Sequence, residues 1–267
     1  MKSKKVLVLG ASGYLGSRLK HELFKNDYVT FGLGRDDTND FKIDLRSADT
    51  DSLSEIFNQF DVVVGASWYV NHVDYMFSSE NHIWQKIYNE IVLDALTKSG
   101  VQHFIGLGSC LEYGLDPASP ITKNSPTVTD TLYAECKHRV FNKFTNQLRD
   151  AQFSWLRLFY VYGGNENPSK LIPSLRRTIL RGESFDFRNP DIVNDYVHVD
   201  HVVQNIMRVL ELSLSGLHNI GSGRPVRNGD LHSIISGNSY DPRPIKNSRG
   251  HYCSDVLMTD NNTQFRL

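Results

Sequence analysis

Short apolar runs alternate with longer amphipathic segments along the first ~160 residues of the chain. The apolar runs predict buried strands at Val6–Leu9, Tyr28–Leu33, Asp61–Val64, His103–Leu107 and Ser154–Leu158. The amphipathic segments predict helices at Tyr14–Phe24, Ile83–Ser99 and Leu132–Asp150. Alternating strands and helices are typical of βαβ units, so the pattern predicts an α/β fold with a doubly wound parallel sheet covered on both faces.

The pattern changes after residue 163. Helices are predicted at Leu171–Arg181 and His201–Leu212, with a short one near Asp230–Ile235 and a strand with loops over 184–198. We expect a dinucleotide-binding, Rossmann-type domain formed by residues 1–163 and 195–221. Residues 164–194 and 222–267 then form a small, discontinuous C-terminal substrate-binding lobe.

Composition excludes several classes of protein. The chain of 267 residues carries 29 basic and 30 acidic side chains, so its net charge is -1 and gives no basic surface for nucleic acid or an anionic membrane. No apolar run approaches the ~18 residues of a membrane span. The three cysteines, Cys110, Cys136 and Cys253, have no CxxC spacing. We therefore expect no metal site, no disulfide framework and a reducing, cytoplasmic location.

A glycine-rich segment follows the first predicted strand and opens the first predicted helix. It reads Gly10-Ala-Ser-Gly13-Tyr-Leu-Gly16. Glycines at this spacing allow a tight turn, a close approach of the backbone to a pyrophosphate, and close packing of helix on strand. The helix N-terminus adds free N–H groups and the positive end of the helix dipole. The segment predicts a dinucleotide site.

The residue after the second strand bears on which dinucleotide binds. An NAD site would place Asp or Glu there to meet the ribose, whereas this chain has Gly34 followed by Arg35. A small residue leaves room for a 2′-phosphate and an arginine can pair with it, which favours NADP. Asp36 keeps NAD as the alternative.

Tyr133 and Lys137 lie four residues apart, on one face of a predicted helix. This spacing alone is weak, because it arises easily by chance. The place of the Tyr133–Lys137 pair in the chain strengthens its interpretation as a catalytic pair. The strand His103–Leu107 ends in Gly108-Ser109 two dozen residues earlier, and the phosphate turn lies at the N-terminus.

The order of these motifs resembles the extended short-chain dehydrogenase/reductases, in particular the nucleotide-sugar epimerase/dehydratase group. The motifs that carry the resemblance are Gly10–Gly16, Asp44-Leu45, Asn89, Ser109–Gly114, Tyr133-x-x-x-Lys137, Leu156–Gly163, Asp195–Asp200 and His218–Gly223. The resemblance implies that Ser109 holds the substrate oxygen, Tyr133 is the acid/base, and Lys137 binds the nicotinamide ribose and tunes Tyr133. It also implies a homodimer that pairs through the two long helices.

The remaining expected site residues follow from the same motifs. The dinucleotide is expected to contact Gly10, Ser12, Gly13, Tyr14, Leu15, Gly16, Arg35, Asp44, Leu45, Ser67, Trp68, Tyr133 and Lys137. The substrate, a nucleoside-diphosphate sugar, is expected to contact Cys110, Leu111 and Tyr160. For Tyr133 to work near neutral pH, its pKa must fall by roughly three units from about 10. A nearby ammonium and the positive nicotinamide ring act in that direction.

Residues after Ser109 discriminate among the reactions of this group. Dehydratases carry Thr-Asp-Glu there, but this chain has Cys110 and Leu111, so dehydration is not expected. Leu111 also stands where the combined 3,5-epimerase-reductases have a cysteine. Glu112 is interpreted as an exposed turn charge. A 4-keto sugar reductase and a 4-epimerase remain.

The pair Gly34–Arg35 favours the reductase with NADP(H). The alternatives are an NAD-dependent 4-epimerase and an idle NADP-binding scaffold, although a scaffold would be expected to lose Ser109, Tyr133 or Lys137.

Two departures from the group concern the substrate. Tyr160 stands where epimerases often have Asn, and Asn194 stands where many members have an arginine that meets the substrate diphosphate. Arginines on the preceding helix are candidates to replace it: Arg176, Arg177 and Arg181. The small substrate lobe indicates either a compact member or a chain that continues beyond its last segment, Thr259–Leu267.

Overall fold

The computed structural model describes residues 4–117, 120–238, 245 and 249–257. Its strands are β1 (Lys5–Leu9), β2 (Val29–Gly34), β3 (Phe41–Lys42), β4 (Val62–Gly65), β5 (His103–Ser109), β6 (Gln152–Leu158), β7 (Tyr160–Tyr162), β8 (Val193–His198), β9 (Gly216–Ile220) and β10 (Pro225–Arg227). Its helices are α1 (Tyr14–Lys25), α2 (Thr50–Phe57), α3 (Glu80–Lys86), α4 (Leu93–Thr97), α5 (Leu132–Gln147), α6 (Leu171–Leu180), α7 (Val199–Glu211) and α8 (Leu231–Ser236). The apolar pattern therefore located the main elements of the first 160 residues to within a few positions.

The large sheet has seven strands in the order β3-β2-β1-β4-β5-β6-β9, and all of its pairs are parallel. The chain moves outward from β1 to β3 and then returns to the other side of β1 with β4. This confirms the predicted Rossmann-like α/β fold. The reversal of strand order creates a crevice at the carboxyl ends of β1 and β4, which is where such sheets bind ligands.

Two apolar layers cover the sheet. Leu19 of α1 and Ile206 of α7 belong to the cluster on one face, and Phe57 of α2 and Phe144 of α5 belong to the cluster on the other. All four side chains are fully buried. Burial of both faces explains why the central strands read as continuous apolar runs rather than alternating ones.

The helix predicted at Ile83–Ser99 contains an irregularity that the sequence did not indicate. Between α3 and α4 the backbone is π-helical over Ile87–Val92. Within this segment Tyr88 is buried, and its hydroxyl donates to the carbonyl oxygen of Ser67 at 2.9 Å. The π-helical segment therefore ties the long helix to the chain that leaves β4.

A second, three-stranded sheet has the order β10-β8-β7, with β8 antiparallel to β10 and parallel to β7. Its own apolar cluster includes Leu175 of α6 and Leu231 of α8. β8 lies in this sheet while β9 lies in the large one, so the chain passes between the two sheets more than once. The boundaries proposed for the two lobes stay a prediction, and the segment Thr259–Leu267 lies outside the described residues.

Among the helices of the described residues, none combines the length and the apolar character that crossing a bilayer requires.

A buried histidine at the start of β5 makes stability depend on pH. His103 is 2% exposed, its Nε2 lies 2.7 Å from Ser154 Oγ, and burial together with Lys4 lowers its pKa from 6.5 to about 4. The unfolded chain takes up a proton near pH 6.5 while the folded chain resists it, so the free energy of unfolding falls as the pH is lowered through this window. In wild type, His103 is expected to make the free energy of unfolding lower at pH 4 than at pH 7 by up to about 3 kcal/mol, and His103→Gln is expected to remove this difference. Urea denaturation at both pH values measures it. The exposed His21→Gln is the control, and equal pH dependence in wild type and His103→Gln would contradict this account.

Candidate active site

The glycine-rich turn joins β1 to α1 at the crevice. Gly10 has a φ of +77°, and a Cβ there would lie 2.9 Å from Ser67 Cα, which places Ser67 directly against the turn. A Cβ at Gly16 would lie only 2.2 Å from the carbonyl oxygen of Gly10. No side chain caps the N-terminus of α1 at Gly13. The turn is therefore a cradle with open N–H groups, suited to bind a phosphate.

Three further residues of this segment differ in their surroundings. Ser12 is exposed, Leu15 lines the adjoining cleft, and Tyr14 donates from its hydroxyl to the carbonyl oxygen of Gly163 at 2.7 Å. The last bond ties the turn to the chain that follows β7. It couples the cradle to the segment that leads into α6.

The residues expected at the adenosine end lie beyond β2 and β3. Arg35 is exposed directly after β2, and a Cβ at Gly34 would lie 2.9 Å from Asn39 Nδ2. Asp44 accepts from the backbone N–H of Arg46, whereas Leu45 is buried in the core. The expected contact residues thus spread along the carboxyl edge of the sheet, and Arg35, Asp44 and Leu45 do not line the cleft that opens beside Ser109 and Tyr133.

Ser109, Tyr133 and Lys137 come together at the carboxyl end of β5. Ser109 ends the strand, Tyr133 and Lys137 lie in the first turns of α5, and Tyr133 hydrogen-bonds with Ser109. Lys137 Nζ donates to the carbonyl oxygen of Leu107 at 2.7 Å and lies 3.9 Å from the ring centroid of Trp68. Helix α5 begins with a cap, since the Thr131 side chain accepts from Ala134 N, and this fixes the phase of the helix.

Burial dominates the protonation of this group. It raises the pKa of Tyr133, with Tyr75, Glu112 and Cys110 acting in the same direction and the hydrogen bond with Ser109 opposing. Burial also lowers the pKa of Lys137 to about 7, with Glu112 opposing. The expected lowering of the Tyr133 pKa is therefore not produced by the protein's own side chains. They hold Tyr133 as a neutral phenol, the form that can give up a proton.

A cleft of about 640 Å³ opens beside this group. The three expected substrate residues all line it, together with Ser109 and Tyr133: Cys110, Leu111 and Tyr160. The Tyr160 hydroxyl lies 3.2 Å from His251 Nδ1. A cavity of this size and largely apolar lining suits a small organic ligand.

Sequence reasoning missed several lining residues. They come from the segment after Trp68 and from the loop that leads into α6: His72, Tyr75, Glu166 and Lys170. Tyr75 packs edge-on against Tyr133 at 5.2 Å between ring centroids, and the backbone N–H of Tyr133 donates to the carbonyl oxygen of Met76. Nothing in the local pattern separates these positions from ordinary loop residues.

The interpretation of Glu112 as an exposed turn charge is wrong. Its side chain is fully buried and binds Arg157, Trp155 and the backbone N–H of Ser109. Arg157 lies on β6, where it pairs in register with Gly108 of β5. The partner is therefore 45 residues away in sequence and is brought close only by the strand pairing.

Asn194 does not take the place of a phosphate-binding arginine. It is buried in β8, where its side chain accepts from His251 N and donates to Asn228. The arginines Arg176, Arg177 and Arg181 are exposed on α6 and at its end. Lys170, at the start of that helix, lines the cleft instead.

Within the described residues, no cluster of three or more His, Cys, Asp or Glu side chains is arranged to hold a metal ion.

The sequence of the chain is similar to a known protein family and to curated proteins. Residues 6–221 match the sequence model of the NAD dependent epimerase/dehydratase family. CDP-abequose synthase from Salmonella muenchen is 21% identical over 98% of this chain and 90% of its own length.

Two solved structures share the fold at low sequence identity. The UDP-N-acetylglucosamine 4-epimerase from Methanobrevibacter ruminantium, in complex with UDP-N-acetylmuramic acid, has a TM-score of 0.78 at 20% identity, over 96% of this chain and 90% of its own. The UDP-glucose 4-epimerase from Thermus thermophilus, in complex with NAD, has a TM-score of 0.73 at 19% identity, over 94% and 88%.

Proposed function

Because the chain belongs to the NAD-dependent epimerase/dehydratase family, we propose that it is an NADP(H)-dependent reductase of the 4-keto group of a nucleoside-diphosphate deoxysugar. The observation that carries the proposal is the grouping of buried Ser109 and Lys137 with half-buried Tyr133, of which Ser109 and Tyr133 line the cleft. A reductase needs one proton donor at the carbonyl oxygen, and the neutral Tyr133 phenol is such a donor.

The residues of the crevice fit a dinucleotide. At Gly10 and Gly16 a Cβ would collide with backbone atoms of Ser67 and of Gly10, so only glycine permits this tight turn, and the uncapped start of α1 offers N–H groups to a pyrophosphate. Ser67, Trp68 and Lys137 lie further along the same edge. The nicotinamide, when bound, supplies the hydride for reduction.

The protein's own residues handle the oxygen and its proton. Tyr133 Oη gives its proton to the oxygen of the carbonyl as that oxygen becomes an alkoxide. Ser109 Oγ accepts from Leu111 N at 3.2 Å, and its own hydrogen, which faces Tyr133 in the protein alone, can be donated to the same oxygen. Lys137, held over the Trp68 ring, orients the ribose and favours the phenolate that remains.

Dehydration receives no support from the residues beside Ser109. Cys110 and Leu111 occupy the two positions after it, and neither supplies a carboxylate. Burial raises the pKa of the Cys110 thiol, so it stays protonated and is a poor base.

The choice of dinucleotide rests on opposing observations. Gly34 and the exposed Arg35 favour NADP, because an arginine beside a small residue can pair with a 2′-phosphate. The Thermus thermophilus relative was solved with NAD, which favours NAD. We take NADP as the proposal for this chain because it rests on the chain's own residues.

We expect Arg35→Ala to weaken NADPH binding by about 10-fold or more and to leave NADH binding unchanged, since a charge-assisted hydrogen bond contributes about 1.5–3 kcal/mol. Titration calorimetry with both dinucleotides measures this. Arg139→Ala removes an exposed arginine of α5 and is the control. Wild-type protein that binds NADH more tightly than NADPH, with no effect of Arg35→Ala, would contradict the assignment of NADP.

A second candidate, an NAD-dependent 4-epimerase, is favoured by the two 4-epimerases that share the fold. The same three residues would serve it, with the dinucleotide kept bound through the cycle. The two candidates separate in one assay of the purified protein, in which dinucleotide oxidation is followed with a panel of 4-keto-6-deoxy nucleotide sugars. Turnover of NADPH supports the reductase, whereas no turnover and NAD that co-purifies would refute it in favour of the epimerase.

Homodimer formation through the long helices stays a prediction. Residue Ile83 on α3 is 43% exposed, which leaves apolar surface for such a contact.

A further inference from the structure

Glu112 lies beneath the catalytic group in the 3₁₀ turn after β5, with a fully buried side chain. Its Oε1 accepts from Ser109 N at 2.9 Å and from Trp155 Nε1 at 3.0 Å, and its Oε2 accepts from Arg157 Nε at 3.0 Å. A buried carboxylate persists only when it is paired and hydrogen-bonded in this way. The site therefore holds a fixed negative charge that the reaction itself does not consume.

The contact with Ser109 is part of a reciprocal pair of bonds. Ser109 Oγ accepts from the turn that follows it, and Glu112 accepts from Ser109 N, which together form a capping box. Glu112 Oε1 also lies close to β5, since a Cβ at Gly108 would be 2.5 Å from it. Glu112 thus fixes the backbone from which the Ser109 hydroxyl projects.

The charge of Glu112 reaches the lysine of the same site. Lys137 is 5% exposed and faces three aromatic rings: Trp68, Tyr133 and Trp155. Burial lowers the pKa of Lys137, and Glu112 is the ionised side chain that opposes this.

Other titratable groups face Glu112 from the elements around it. Arg157 comes from β6, and His138 of α5 has its Nδ1 3.9 Å from Glu112 Oε2. Burial lowers the pKa of His138, which favours its neutral form. The pKa of Tyr133 and the pKa of Cys110 are both raised in part by the charge of Glu112.

We propose that Glu112 is a positioning residue of the active site: it holds Ser109 through the backbone N–H and supplies a buried negative charge that favours the ammonium form of Lys137. Its importance for turnover rests on the proposed function, whereas its effect on Lys137 is a property of the protein alone. Trp155 connects the two residues, since its indole N–H donates to Glu112 at 3.0 Å and its ring centroid lies 5.9 Å from Lys137 Nζ.

The test removes the negative charge of Glu112 and keeps the shape of its side chain. In protein labelled with ¹³C-lysine, the Cε signal of Lys137, identified by its loss in Lys137→Met, is titrated in wild type and in Glu112→Gln. We expect the midpoint of Lys137 to fall by about 1 pH unit in Glu112→Gln. Glu135→Gln removes a half-buried carboxylate of α5, the helix that carries Lys137; Glu135 pairs with Arg139, and its loss is expected to leave the midpoint unchanged.

A second variant guards against a failure to fold, because Glu112→Gln leaves Arg157 as a buried charge without its carboxylate. Glu112→Gln/Arg157→Gln removes both charges, and the midpoint of Lys137 is expected to fall by less there, because the lost Arg157 charge acts in the opposite direction. An unchanged midpoint in folded Glu112→Gln overturns the proposal, and where only the double variant folds, a midpoint that does not fall overturns it.

The same variants distinguish a failure of the proposal for Glu112 from a failure of the proposed reductase function. If the reaction is as proposed, the alkaline limb of the kcat/KM profile of Glu112→Gln moves to lower pH, because the reduction needs Lys137 and Tyr133 in their protonated forms and a lost negative charge lowers the pKa of both. An unmoved profile in a protein whose Lys137 midpoint has fallen would overturn the catalytic part of the proposal. If no substrate turns over in wild type, the proposed function fails while the titration still decides the charge effect.

Discussion

Replacing Tyr133 by phenylalanine is expected to lower kcat by about 10²–10⁴-fold while dinucleotide binding survives. The change removes one oxygen atom and keeps the ring, which packs edge-on against Tyr75 and Trp68. The phenol that hydrogen-bonds with Ser109 is the proton donor of the proposed reaction, so its loss leaves the alkoxide without an acid. Steady-state kinetics together with a dinucleotide titration measure both parts of this result.

Tyr75→Phe is the matched control for that experiment. Tyr75 lines the same cleft, and burial raises its pKa too, but no hydrogen bond joins it to Ser109 among the described contacts. We expect it to lose far less than Tyr133→Phe. Full activity in Tyr133→Phe, or an equal loss in both variants, would show that the proton donor is misassigned.

Substituting Gly16 by alanine is expected to weaken dinucleotide binding by about 10- to 100-fold, as overpacking by about 1–3 kcal/mol would do. The new Cβ would lie 2.2 Å from the carbonyl oxygen of Gly10 and 2.9 Å from its carbonyl carbon. Both atoms are backbone, so α1 must shift relative to the turn. The phosphate cradle is then distorted, and fluorescence or calorimetric titration records the loss.

Two other glycines make the test graded. A Cβ at Gly13 would lie 3.2 Å from the carbonyl oxygen of Gly10, and one at Gly100 would lie 3.7 Å from Asn58 Oδ1. We expect Gly13→Ala to lose less affinity than Gly16→Ala and Gly100→Ala to lose none. Wild-type affinity in Gly16→Ala would contradict the placement of the dinucleotide at this turn.

The fold could be predicted because its signals are local. Buried parallel strands such as Val6–Leu9 are short apolar runs, and the amphipathic period of α5 and α7 marks their buried faces. The π-helical segment Ile87–Val92 left no such signal, because its apolar positions fit an ordinary helix equally well. A π-helical turn changes the backbone hydrogen bonding of a helix without requiring a different composition.

The candidate site could be predicted only where the motif lies within a few residues. Tyr133 and Lys137 are one helical turn apart, so the sequence predicts that they share a face. Glu112 and Arg157 are 45 residues apart, and their pairing depends on the register of β5 with β6. A carboxylate in a turn is normally solvated, so nothing near Glu112 indicated that it would be buried.

The direction in which the pKa of Tyr133 is shifted also could not be predicted from local sequence. The expectation of a lowered pKa counted a nearby ammonium and the positive nicotinamide ring, whereas in the protein by itself desolvation raises the pKa of Tyr133, and Tyr75, Glu112 and Cys110 raise it further. Lys137 Nζ instead donates to the carbonyl oxygen of Leu107. Local spacing indicates which residues meet, whereas the sign of a pKa shift depends on how much water the whole fold excludes.

The most direct test of the central claim follows the hydrogen atom itself. The purified protein is incubated with NADPH that carries deuterium at the transferable C4 position of the nicotinamide and with a 4-keto-6-deoxy nucleotide sugar, and the product is analysed by mass spectrometry. The reductase account predicts a sugar that has gained one deuterium at C4, with one dinucleotide oxidised for each sugar formed. A product without deuterium, formed with no net oxidation of the dinucleotide, would contradict it.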